Sequence, residues 1–147
     1  MRRIRLLATQ APAAVVLVRL IVGAVFLSEG IQKFLFSGDL GVGRFMKIGL
    51  PAPEFLAPFV GTFEIACGIL LLVGLLTRAA AVPLIVVMLV SISTTKVPIL
   101  MDKGFWAMAH EARTDWSMLL GSIYLLIVGA GAWSLDVVLA RRHPADE

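Results

Sequence analysis

The stretch VFLSEGIQKFLF, residues 25–36, sets Glu29, Gln32 and Lys33 inside an otherwise apolar run. The run begins near residue 14 and is long enough to cross a bilayer, since about 20 helical residues span the hydrocarbon layer. A lone charge at the bilayer centre costs at least about 2.5–3.5 kcal/mol on insertion scales. Glu29 and Lys33 must therefore face other protein or a wet cavity, and the stretch requires partner helices.

Three further runs supply them, at roughly 54–76, 79–98 and 116–138, beside the first at 14–36. The chain has 147 residues and is 59% hydrophobic, above the roughly 45–50% typical of soluble domains. These features predict one all-α domain over residues 1–147, a four-helix transmembrane bundle with a short interfacial segment in each outer loop. In SGDLGVGRFMKIGLPAPE, 37–54, glycines and prolines break helix, a short turn is expected around Arg44 to Ile48, and Pro53 is placed to open the second span. Leu76 to Ala79 alone separate the second and third spans, so those helices are antiparallel neighbours. Pro98 is expected to end the third span. LMDKGFWAMAHEARTDW, 100–116, mixes charge with aromatics and suits a surface helix.

The net charge of +3 comes mostly from arginines at the ends and in turns, with no basic stripe interleaved with aromatics. No nucleic-acid partner is expected. Cys67 is the single cysteine, which excludes an internal disulfide or a CxxC pair. His110 and His143 lie outside the apolar runs, so a bis-histidine haem site is not expected, and His110 with Glu111 makes too small a metal set. No metal and no covalently bound cofactor are expected. MRRIRLLATQ resembles the start of a signal peptide, but Arg19 interrupts the apolar run that follows and no convincing small-x-small cleavage site comes after it. The segment is expected to be retained. Arg2, Arg3, Arg5, Arg78, Arg141 and Arg142 on one side outweigh Arg44, Lys47, Lys103 and Arg113 on the other, which predicts both termini in the cytoplasm.

Helical spacing decides where the intramembrane charges point. Arg19, Gly23, Phe26, Gly30 and Lys33 share one face, with Glu29 at its border in favourable i, i+4 order before Lys33. Glu64 shares a face with Gly61, Cys67 and Gly68, small residues that admit a neighbouring backbone. Ser91, Thr94 and Thr95 on the third helix, and Ser117, Gly121 and Tyr124 on the fourth, are expected to form polar walls. Glu29, Lys33, Glu64, Lys96, Phe26 and Tyr124 are the expected ligand-binding set, in the outer half of the membrane. Lys33 is expected to pair with Glu29 or Glu64. Lys96 is expected to snorkel, Asp115 to cap its helix, and Arg19 to form a structural ion pair with Asp136.

The chain resembles the DoxX family of small bacterial membrane proteins, through GIQKF at 30–34, GLPAP at 49–53, VGTFEIACGILLLVGLLTRAAA at 60–81 and GAGAWSLD at 129–136. The matched family positions are Gly30, Lys33, Glu64, Gly68, Thr77, Arg78 and Ser134 to Asp136. The resemblance implies a four-helix protein of the bacterial inner membrane. Some relatives are similar to the membrane subunit of a thiosulfate:quinone oxidoreductase, and others associate with soluble redox or detoxification enzymes. With the resemblance, the converging polar residues lead to the expectation of a membrane subunit that contacts lipids, anchors or assists a soluble or membrane redox partner and takes a quinone-like amphipath. Lacking a haem, thiol pair or metal set of its own, it is expected not to be catalytic alone. A non-catalytic scaffold or assembly factor is the alternative, and a small transporter a lesser one. Gly129 and Gly131 also suit a homo-oligomer contact.

Overall fold

The computed structural model describes residues 12–142, with the side chain of Arg142 outside that description. The expectations that rest on Arg2, Arg3, Arg5, the retained N-terminal segment and His143 lie outside the described residues.

All regular structure among the described residues is helical: α1 Val15–Leu35, α2 Val42–Lys47, α3 Pro53–Val73, α4 Thr77–Ser91, a π-helical turn Ile92–Lys96, α5 Val97–Lys103, α6 Phe105–Glu111, α7 Arg113–Val128 and α8 Leu135–Arg142. Among the described residues, three continuous helices are long and apolar enough to cross a membrane: Val15–Leu35, Pro53–Val73 and Thr77–Lys103. In cross-section α1 lies against α3, α3 against α4, α4 against α7, and α7 back against α1.

Glycine sets the closest of these contacts. A Cβ on Gly30 would lie 2.7 Å from the Gly61 carbonyl oxygen, and one on Gly68 would lie 2.9 Å from that of Gly23. Gly23 and Gly30 are seven residues apart, as are Gly61 and Gly68, and the antiparallel order matches Gly23 with Gly68 and Gly30 with Gly61. Two backbones thus touch twice along one seam. Lipid tails are as apolar as leucine, so such close packing takes over the part that hydrophobic burial plays in water.

The expected fourth span, 116–138, is not one helix. It starts earlier, at Arg113, and stops at Val128, because Gly129 (φ 89°) and Gly131 (φ 78°) turn the chain where side-chained residues are strained. The break frees carbonyls, and Arg19 collects them. Its Nη1 donates to Ala130 O and Trp133 O, each at 2.7 Å, while Nε donates to Leu71 O at 3.0 Å. Trp133 lies in this break.

Asp136 makes the complementary contact. Leu76 has φ 50°, costly for a leucine, and its N–H donates to Asp136 Oδ1 at 2.7 Å, with Thr77 N–H donating to Oδ2 at 3.1 Å. The carboxylate therefore caps the start of α4 and holds the strained turn. Among the described residues no direct ion pair joins Arg19 to Asp136; the expected pairing is present only as attraction through space. Backbone carbonyls satisfy the guanidinium and backbone N–H groups satisfy the carboxylate, so the latch runs through main chain.

Pro98 does not end the third helix either. A proline cannot donate to the preceding turn, and the ladder shifts into the π turn just before it. The hydroxyls of Ser93, Thr94 and Thr95 donate to Leu89 O, Val90 O and Ser91 O at 2.7, 2.8 and 2.6 Å. They supply donors where the regular pattern is disturbed, a common remedy at membrane depth.

Gly30→Val should lower stability by about 1–3 kcal/mol through overpacking, measured by thermal unfolding in detergent. Gly38, where an added Cβ would meet nothing within 4 Å, should accept alanine with a change under about 0.5 kcal/mol.

Candidate functional site

The glycine seam has a direct consequence for charge. With α1 and α3 this close, Lys33 reaches across to Glu64, and Nζ lies 2.7 Å from Oε2. Glu64 is 2% exposed, one helical turn from the Gly61 contact. Lys33 therefore pairs across the seam, and Glu29, though four residues away on the same helix, is exposed and makes no ion pair with it among the described residues. An exposed i, i+4 pair yields only about 0.3–0.5 kcal/mol, whereas an unpaired buried Glu64 is far costlier.

A second ion pair stands on the opposite side. Lys96 Nζ lies 3.3 Å from Asp115 Oδ2, and Ser91 Oγ donates to Asp115 Oδ1 at 3.2 Å. Lys96 is 8% exposed. It does not snorkel, because the π turn ends on it and directs it inward. Asp115 does not cap its helix as expected: Ala112 is the capping position, and the Asp115 carboxylate, in the first turn, meets Lys96 and Ser91 instead. The sequence pattern did not place it in the binding set. A signal for it was present: an acidic residue at the mouth of an apolar helix, level with a lysine at the end of the preceding one.

Both pairs open onto one cavity of about 700 Å3, walled by α1, α2, α3, α4, the π turn and α7. Phe26, 1% exposed, and Met118 lie along its buried side. Ser91, Thr94 and Thr95 line it as expected, and Glu29 borders it. Arg44, from the short α2, also faces it and was not anticipated. Interfacial loops hide such residues, since their helical phase cannot be read against a neighbouring span.

Tyr124 does not belong to the cavity and is 40% exposed. It follows Asp115 by nine residues, which at ~100° per residue places it half a turn away. Ser117 shares that outward side, donating to Arg113 O at 2.8 Å, and Gly121 packs toward Val22. The α7 wall is instead Thr114, Asp115 and Met118. The expected wall was one face of the right helix, rotated away from the centre.

Chemically, the cavity offers two proton-carrying pairs, hydroxyls and apolar walls. Glu64 spends one of its acceptor positions on Lys33 and retains others, since a carboxylate has about four. Such a constellation can hold the oxygen-bearing head of a small amphipath.

Fold and cavity define a small helical integral membrane protein with charge enclosed between its helices. The chain belongs to the DoxX family, whose model matches residues 14–97. It is 54% identical over 147 residues to "Uncharacterized membrane protein Rv3486" of Mycobacterium tuberculosis (strain ATCC 25618 / H37Rv), covering 96% of this chain and 90% of that one. It is 32% identical over 121 residues to "Putative oxidoreductase CatD" of Bacillus subtilis (strain 168), covering 82% of each. No solved structure matches the chain.

Lys96→Met should cost about 1–3 kcal/mol by stranding the Asp115 carboxylate. Adding Asp115→Asn should recover more than half of that loss, with both read from thermal unfolding in detergent.

Proposed function

We propose that this protein is the membrane subunit of a redox system and binds a quinone-like amphipath in the cavity between its helices. The observation that carries the reading is the convergence of two ion pairs, from four separate segments, on a single apolar-walled space of about 700 Å3. Structural pairs fixing helix register have no need of a shared void. The relative named as an oxidoreductase supports a redox association.

In this reading the Lys33 ammonium donates a hydrogen bond to a carbonyl oxygen of the ligand, and Glu64 keeps the ammonium in place. Lys96 and Asp115 serve a second polar group, and Phe26 packs against the ring. A quinone supplies two-electron chemistry coupled to proton uptake, and the pairs are positioned to hand protons to its oxygens. With one cysteine and two histidines in the sequence, the electrons come from a cofactor of a partner protein. The same reading places the protein in the bacterial inner membrane with both termini in the cytoplasm, on the distribution of Lys and Arg.

The test is equilibrium binding of a short-tailed benzoquinone to the purified protein in nanodiscs. The double variant Lys33→Met/Glu64→Gln should bind at least tenfold more weakly while remaining folded. Unchanged binding in a folded double variant would assign the charges to helix packing alone and leave a scaffold or assembly factor as the function.

A further inference from the structure

We propose that the ligand of this cavity carries a hydrocarbon tail and enters sideways from the bilayer, through a slot between α3 and α4. The proposal rests on the cavity being a ligand site and specifies what kind of molecule it takes.

Gly74 to Leu76 join α3 and α4 at one end of the bundle, which holds the helices together there. Toward the other end the cavity separates them, and four residues line it while also facing outward. They are Phe59 and Phe63 on α3, 47% and 41% exposed, and Val86 and Val90 on α4, 54% and 44% exposed. A side chain that both lines a cavity and is half exposed stands at its rim. Each pair is spaced i, i+4, so the two rims run along facing helices for about one turn.

Depth identifies what lies outside. Phe63 is ten residues into α3, ~15 Å along its axis, and Val86 is nine residues into α4, ~14 Å from the opposite end. Both sit near the middle of a hydrocarbon layer ~30 Å thick. The slot therefore faces acyl chains, not water. The polar, exposed lining residues are elsewhere: Glu29 on α1, Arg44 on α2 and Thr114 on α7. The cavity thus has a polar rim at Glu29, Arg44 and Thr114 and a separate apolar rim that opens into the membrane.

Charge narrows the head group. Lys33, Arg44 and Lys96 balance Glu29, Glu64 and Asp115 around the cavity. A phosphate or an ammonium would leave that balance uncompensated, whereas a neutral, dipolar head with oxygen functions preserves it. A neutral ring with an attached isoprenoid or alkyl chain matches both ends of the site, with the ring between the ion pairs and the chain lying between Phe63 and Val90.

The experiment compares two probes on the full-length protein in nanodiscs: 2,3-dimethoxy-5-methyl-1,4-benzoquinone, which has no tail, and the same ring bearing a decyl chain. Val90→Trp narrows the slot from α4, and Val86→Trp does so one turn away should the first fail to fold. In either folded variant the decyl compound should bind at least tenfold more weakly, and the tail-less compound should change less than twofold. Equal weakening of both probes, or no change in either, would overturn the slot while leaving the cavity as a site. A bound phospholipid seen by native mass spectrometry and not displaced by the decyl compound would also overturn it. Failure of both probes to bind the unmodified protein would instead remove the reading beneath it.

Discussion

The structure depends on one constraint: a carboxylate at membrane depth must have a cation within reach. Glu64 is that carboxylate, and Lys33, 2.7 Å away on another helix, is the cation. The pair exists because Gly30 and Gly61 let two backbones approach beside it. Larger residues there would separate the helices, and the lysine could no longer span the gap. The glycines and the charges are therefore one device, in which close packing makes the ion pair and the ion pair gives the seam its register. Buried ion pairs are not strongly stabilising compared with apolar replacements, but breaking one side is expensive. That asymmetry is what fixes register.

The same economy of backbone and charge recurs at the Gly74 end. Arg19 and Asp136 are both buried, and each is satisfied by main-chain groups that broken helices leave free. A Cβ on Gly74 would lie 2.7 Å from Arg19 Cζ and 2.6 Å from Ser134 Cβ, so the turn, the guanidinium and the start of α8 share one small volume. Here the buried charges are taken up by main chain, and among the described residues the Thr77 hydroxyl is the buried polar group beside them that makes no hydrogen bond. The Lys33 end, by contrast, encloses open space between its charges, and it is there that a ligand can be accommodated.

Much of this was legible in the residues. Length and hydropathy located the long helices, and the i, i+3, i+4 rhythm placed Arg19, Gly23, Phe26, Gly30 and Lys33 on one buried face. What escaped came from features that periodicity does not encode. The Gly129–Ser134 break was hidden inside a run apolar enough to read as continuous helix. Tyr124 shares a face with Ser117 and Gly121 and so suggested an inward wall, although the phase from Asp115 turns it outward. Lys96 read as a snorkelling terminus because a π turn, which rotates everything after it, leaves no composition signal beyond a cluster of hydroxyls and a proline. Arg19 and Asp136 matched as opposite charges, while the backbone offered each of them a nearer partner.

Lys33 and Glu64 act as one unit across the α1–α3 seam, and a double-mutant cycle measures that coupling. Thermal unfolding of the native protein, Lys33→Met, Glu64→Gln and the double variant in one detergent gives the coupling energy directly. Strong coupling is expected, about 2 kcal/mol or more, with the double variant better than the sum of the single losses. Losses that add within about 0.5 kcal/mol would mean that the two side chains act independently, and the architecture described for this bundle would be contradicted.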